Sequence, residues 1–168
     1  MVEDIPIFLG FAICYAVFFS LYMHFLIELS NKDCESRYAD PDVWRGVRWV
    51  VLLLGGMTWI IVGTIHPGWL LASGFWIMVT YCAAKLPKRK WLGGHDARIL
   101  MSAGFLFPHW LTIPSAFVIG MVLAALKRKT LNEEQREEWK SRGIPMVPYL
   151  TVGMVGSAEV FLLMLFFF

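Results

Sequence analysis

The sequence predicts an all-α, polytopic membrane protein, and three observations carry that prediction. Hydrophobic residues make up 58% of the chain and aromatic residues 15%, with a mean hydropathy of +0.60, far more apolar than a soluble domain needs to fill its core. Apolar runs approaching the roughly 20 residues that a helix needs to cross a bilayer recur along the chain. The basic residues are confined to the segments between alternate runs. With 168 residues and no polar or Pro/Ser-rich linker, the chain is expected to form one integral domain, residues 1–168.

Six spans are expected, at 5–29, 47–65, 69–84, 97–108, 113–126 and 147–168, with five as the alternative. The first lacks a basic leader region and an A-x-A cleavage site, so it reads as a retained helix rather than a signal peptide. The second and third are joined by HPGW. The fourth and fifth are short and read as a tight helical hairpin turning at PHWLTIP. Between the fifth and sixth, TLNEEQREEWKSR consists of good helix formers behind Thr130-x-x-Glu133, a capping-box pattern, and predicts a short surface helix with a solvated charged face. The terminal FLLMLFFF reads as lipid-facing or packing surface.

Charge tests this layout independently, because cytoplasmic loops collect Lys and Arg. All 15 basic residues fall in segments 32–48, 85–98 and 127–142. The alternate loops carry none, and the N-terminus carries only Glu3 and Asp4. The N-terminus is therefore expected outside and the three charged loops in the cytoplasm. Topology accounts for the net charge of +2, so no nucleic-acid partner is implied; the partner is the lipid bilayer. Cys14, Cys34 and Cys82 form no C-x-x-C pair, which argues against a zinc ribbon and a disulfide oxidoreductase, and they read as apolar fillers and one cytoplasmic thiol. There is no Gly-rich phosphate loop, H-E-x-x-H site or G-x-S-x-G nucleophile.

Acidic chemistry at the cytoplasmic face remains. Asp96, in WLGGHDAR, precedes the fourth span, and the first loop, SNKDCESRYADPDVWR, offers Asp33, Asp40 and Asp42. Taken alone, a carboxylate among Lys88, Arg89, Lys90 and Arg98 is a surface counter-ion. Two loops presenting carboxylates at one membrane depth suggest more: two aspartates sharing a proton activate water, one ionised as base and its neighbour held protonated by the like charge. Gly93 and Gly94 suit a sharp backbone bend and close approach of an extended substrate. Elsewhere, His24 and Glu28 stand one turn apart and could face each other as a structural pair. Glu159 falls inside the last span, where an ionisable group is costly, and is expected to make a bundle-facing hydrogen bond.

The block GGHDARIL resembles the second-aspartate motif, G-x-G-D, of the membrane aspartyl proteases that process type IV prepilins and archaeal preflagellins. Gly93 takes the first glycine position, Asp96 the aspartate and Arg98 the usual lysine, while His95 replaces the second glycine. Asp33 and Arg37 match the family's D-x-x-x-R, with Pro41 one position late and the following Ile and Asn absent. Asp40 and Asp42 compete with Asp33 for the first acid. The interval from Asp33 to Asp96 is 63 residues, about what two spans and a short loop require. GIPMVPYLTVGMVG, with Pro145, Pro148, Tyr149 and Gly153, resembles the closing segment.

The resemblance implies an aspartic endopeptidase that removes the short basic leader of pilin-like or archaellin substrates at the cytoplasmic face of the cell membrane. Asp33 and Asp96 would be its catalytic pair, supported by Gly93, Gly94, His95 and Arg37, with no metal or cofactor. The chain lacks the cysteine-paired zinc segment of members that also N-methylate the product, so it resembles the peptidase-only members. Two rivals stand beside this reading. A small transporter or assembly protein would use Asp33, Asp96 and Glu159 as an ion path, and a lipid-modifying transferase would need a multi-aspartate segment that is absent here.

Overall fold

The computed structural model describes residues 5–36, 41–85 and 93–167. Among them are seven helices and no strand: α1 (Ile5–Ser36), α2 (Pro41–Ile65), α3 (Pro67–Lys85), α4 (Gly94–Leu106), α5 (Thr112–Thr130), α6 (Glu133–Arg142) and α7 (Met146–Phe167). Proline opens α2 and α3, where its fixed φ and missing N–H suit the first helical position. The α2–α3 turn is as tight as HPGW suggested, with His66 N–H donating to Val62 O and Trp69 N–H to His66 O, at 2.7 and 3.0 Å.

Each expected span falls on a helix, the fourth ending early at Leu106, but six independent crossings are more than the helices support one by one. Among the described residues, α1 over Ile13–Glu35, α2 and α3 are long and apolar enough to cross a membrane. A fourth crossing appears only if α6 and α7, bent by 90°, count together. The shortfall has a physical reason in α4. Its 13 residues extend about 20 Å at 1.5 Å per residue, short of a hydrocarbon core of about 30 Å. This helix packs against α2, α3, α5 and α7 and buries Ile99, Leu100, Ala103 and Leu106, so protein rather than lipid surrounds it.

Polar anchors tie the interior together. Tyr22 Oη shares a 2.6 Å hydrogen bond with Ser102 Oγ and reaches Met154 Sδ at 3.1 Å, linking α1, α4 and α7. Ser73 Oγ donates to Gly104 O at 2.7 Å, linking α3 to α4. Helices α5 and α7 meet backbone to backbone: a Cβ placed on Gly153 would lie 2.2 Å from Ala116 O, so no larger residue fits there without separating the pair. The outside is apolar instead, with Leu71 79% and Ile60 73% exposed, the inverse of a water-soluble surface.

Several sequence expectations are corrected. The cap of α6 is Asn132, whose Oδ1 accepts Gln135 N–H at 2.8 Å, whereas Thr130 ends α5. The surface helix itself forms, with no buried residue. Glu28 pairs with Lys32 at 3.2 Å rather than His24, because both helical positions are one turn away and Lys32 carries the permanent charge. Glu159 is exposed rather than bundle-facing; α7 is apolar all round, so its sequence does not mark which face is buried. All three cysteines are exposed rather than filling the core.

Candidate functional site

The candidate site lies where α1 ends and α2, α4 and α7 begin. Asp33 stands in the last turn of α1, half-buried, and its Oδ2 accepts the N–H of Val147 at 3.2 Å. That N–H belongs to the first turn of α7, where helical amides lack internal partners and the helix dipole favours an anion. The polar residues that carry α1 beyond its apolar stretch thus reach a useful acceptor position.

Asp96 is the third residue of α4, behind the N-cap Gly93. Its Oδ2 accepts Gly93 N–H at 3.1 Å, the acidic half of a capping box. Burial raises the Asp96 carboxyl above its ordinary value; the Gly93 N–H opposes the rise, and the charge of Asp33 adds to it. Acids that are 63 residues apart in sequence thus stand within electrostatic range of each other at this end of the bundle.

Gly93 has φ −64° and ψ 153°, ordinary extended backbone, and the only described glycine with positive φ is Gly143. Neither Gly93 nor Gly94 therefore adopts a backbone conformation reserved for glycine. What Gly93 supplies is space, because a Cβ there would stand 2.7 Å from Asp96 Oδ2; Gly94 has open space around it. A histidine in place of the second glycine of G-x-G-D is accommodated because position 95 is simply helical.

His95 stacks on Trp44, with ring centroids 5.7 Å apart and planes 13° from parallel. Its Nδ1 is buried without a hydrogen-bond partner among the described residues. Burial pushes the imidazole below its ordinary value, Arg98 pushes in the same direction, and Asp33 opposes them. Arg98 lies over the Trp44 ring at 5.5 Å. Trp44 thus holds His95, which precedes Asp96, and Arg98, two residues after it.

No family model, no curated protein and no solved structure matches the chain. The site therefore rests on its own geometry. Of the competing first acids, Asp42 is exposed at the start of α2 and pairs with Arg45 at 3.1 Å, while Asp40 lies outside the described residues, as does Arg37. Glu159, 12 residues after Val147 on α7, is about 18 Å along the helix from the pair. Among the described residues no group of three His, Cys, Asp or Glu could hold a metal ion.

Proposed function

We propose that the chain is a membrane aspartic endopeptidase that removes a short basic leader from substrates whose next segment is an apolar helix, of the prepilin or preflagellin kind. The observation that carries this reading is the juxtaposition of Asp33 and Asp96, with Asp96 raised by burial and by its neighbour. Such a pair divides the labour of peptide hydrolysis. Asp33, facing the amides of α7, is the base that draws a proton from water; Asp96 holds a proton, polarises the scissile carbonyl and then protonates the leaving amine. The half-buried position restricts water and strengthens both interactions.

The topology that fits this role has the N-terminus outside, the three basic segments in the cytoplasm and six passes, of which α4 is a short, protein-enclosed one. The acids then stand at the cytoplasmic membrane surface, where a basic leader gives way to an apolar helix. An ion path through Asp33, Asp96 and Glu159 is less well supported, since Glu159 is exposed and remote from the pair.

The test is incubation of purified protein in detergent with a leader-bearing pilin-like substrate, read by mass spectrometry. Loss of the leader mass with wild type and Asp42→Asn, but not with Asp33→Asn or Asp96→Asn, is the expected result. Cleavage that survives both of the latter substitutions would sink the proposal.

A further inference from the structure

Beside the acid pair, α2, α3 and α4 enclose a groove of about 420 Å³, within the size range of sites that take small ligands. Its two ends differ chemically. Arg48 and Arg98 stand at one end, and Val51, Leu52, Ile77 and Phe105 form the apolar remainder.

Both arginines lie within about two helical turns of the charged end. Arg48 is seven residues into α2 and Arg98 four residues into α4, about 10 and 6 Å from the charged end of the bundle. Leu52 and Phe105 lie about 16 Å from that end by the same measure. With the charged end at the membrane surface, as in the topology proposed above, the groove runs from the depth of the phosphates to that of the acyl chains.

Charge pairing leaves these arginines available, as it does the cations at the end of α5, but only Arg48 and Arg98 line the groove. Lys32, Arg45, Lys140 and Arg142 each have an acidic partner on their own helix. Arg48 and Arg98 have none among the described residues, and Arg98 is held over Trp44. Two uncompensated guanidiniums at the mouth of an apolar trough match a phosphodiester carrying a hydrocarbon chain: planar guanidinium forks suit phosphate oxygens, and basic sites between helices at the cytoplasmic interface hold anionic headgroups.

We infer that this groove is a binding site for an anionic phospholipid, its phosphate between Arg48 and Arg98 and one acyl chain along Leu52, Ile77 and Phe105. The inference rests on the chain's residence in a bilayer and not on peptidase chemistry.

Native mass spectrometry tests it with protein extracted from bilayers of equal phosphatidylglycerol and phosphatidylcholine with identical chains. Wild type should retain phosphatidylglycerol preferentially, and the Arg48→Gln/Arg98→Gln pair should lower that preference by about tenfold. Lys127→Gln/Arg128→Gln, which removes two cations from the end of α5 away from the groove, should leave it unchanged. Leu52→Trp, which fills the trough and keeps both arginines, should reduce retention, and glycerol phosphate should not displace the lipid. Equal retention of the two lipids, or an undiminished preference in the Arg48→Gln/Arg98→Gln protein, overturns the site. Displacement by glycerol phosphate makes it a free-anion site, and displacement by an apolar leader-bearing peptide assigns the groove to substrate; either result also overturns it.

Discussion

Both ends of the bundle pack a histidine on a tryptophan, and they are chemically different places. At one end His95 stacks on Trp44, with Asp33, Asp96 and Arg98 around it. At the other, His66 stacks on Trp69 at 4.3 Å, and Trp69 meets His109 edge-on at 4.5 Å and Phe161 at 6.2 Å. His109 is lowered by burial alone. An aromatic–imidazole stack is thus a packing device in its own right, and the neighbouring carboxylates distinguish a candidate reaction centre from an aromatic plug.

The comparison breaks most directly by neutralising acids at one end and imidazoles at the other. Asp33→Asn and Asp96→Asn should each reduce cleavage by about a thousandfold, the scale of positioned acid–base catalysis, whereas His66→Gln and His109→Gln should retain most of it. Stability should move the other way at Asp96. A carboxyl raised in the folded state binds its proton more tightly there than when unfolded, so its contribution favours folding at low pH and is lost as pH rises through the raised value. Asp96→Asn should therefore melt no lower than wild type near neutral pH and show a flatter dependence of melting temperature on pH.

Next in size is Trp69→Leu. Removing the ring that His66, His109 and Phe161 share should cost about 3 kcal/mol, in the range of large core truncations, seen as a lower thermal midpoint in detergent. Protein that remains folded should cleave at close to the wild-type rate. If its turnover falls as far as that of Asp96→Asn, the two ends are not functionally separate.

How much of this was legible beforehand follows from which signals are local. Hydropathy located α1, α2 and α3, whose apolar sides face outward. It overstated the independence of α4, because burial by neighbouring helices leaves no trace in a short apolar run. Asp33 and Asp96 were legible through charge placement and interval, yet the donor to Asp33 is the backbone of Val147, which no side-chain pattern encodes. Trp44 was overlooked because it is one of eight tryptophans and its part depends on which rings lie above it. The cap of α6 was misplaced by two residues because Thr130, Asn132 and the acids after them offer overlapping patterns.

A finer test sharpens the charged end. Gly93→Ala should lower the cleavage rate constant by about tenfold with little change in KM, since the added Cβ would meet Asp96 Oδ2 at 2.7 Å and small displacements of reacting groups are costly. The fold should survive, because the backbone at that position is ordinary.

The smallest effect is expected at His95. Its imidazole is lowered from an ordinary value of 6.5, so the folded protein binds that proton less tightly than the unfolded chain, and stability from this group is present above that value and lost as pH falls through it. His95→Gly should keep cleavage and leave the rate profile near neutrality unchanged. Loss of a limb there in the mutant alone would make the imidazole a working part of the site.

The hydrogen bond from Val147 to Asp33 also gives the site an internal voltmeter. An amide that donates to a carboxylate is polarised more strongly than one that donates to a carboxylic acid, so the proton and nitrogen resonances of Val147 should follow the charge on Asp33. In a selectively valine-labelled sample, this single backbone signal would read the occupancy of the acid pair directly, with no substrate present and no catalytic turnover required.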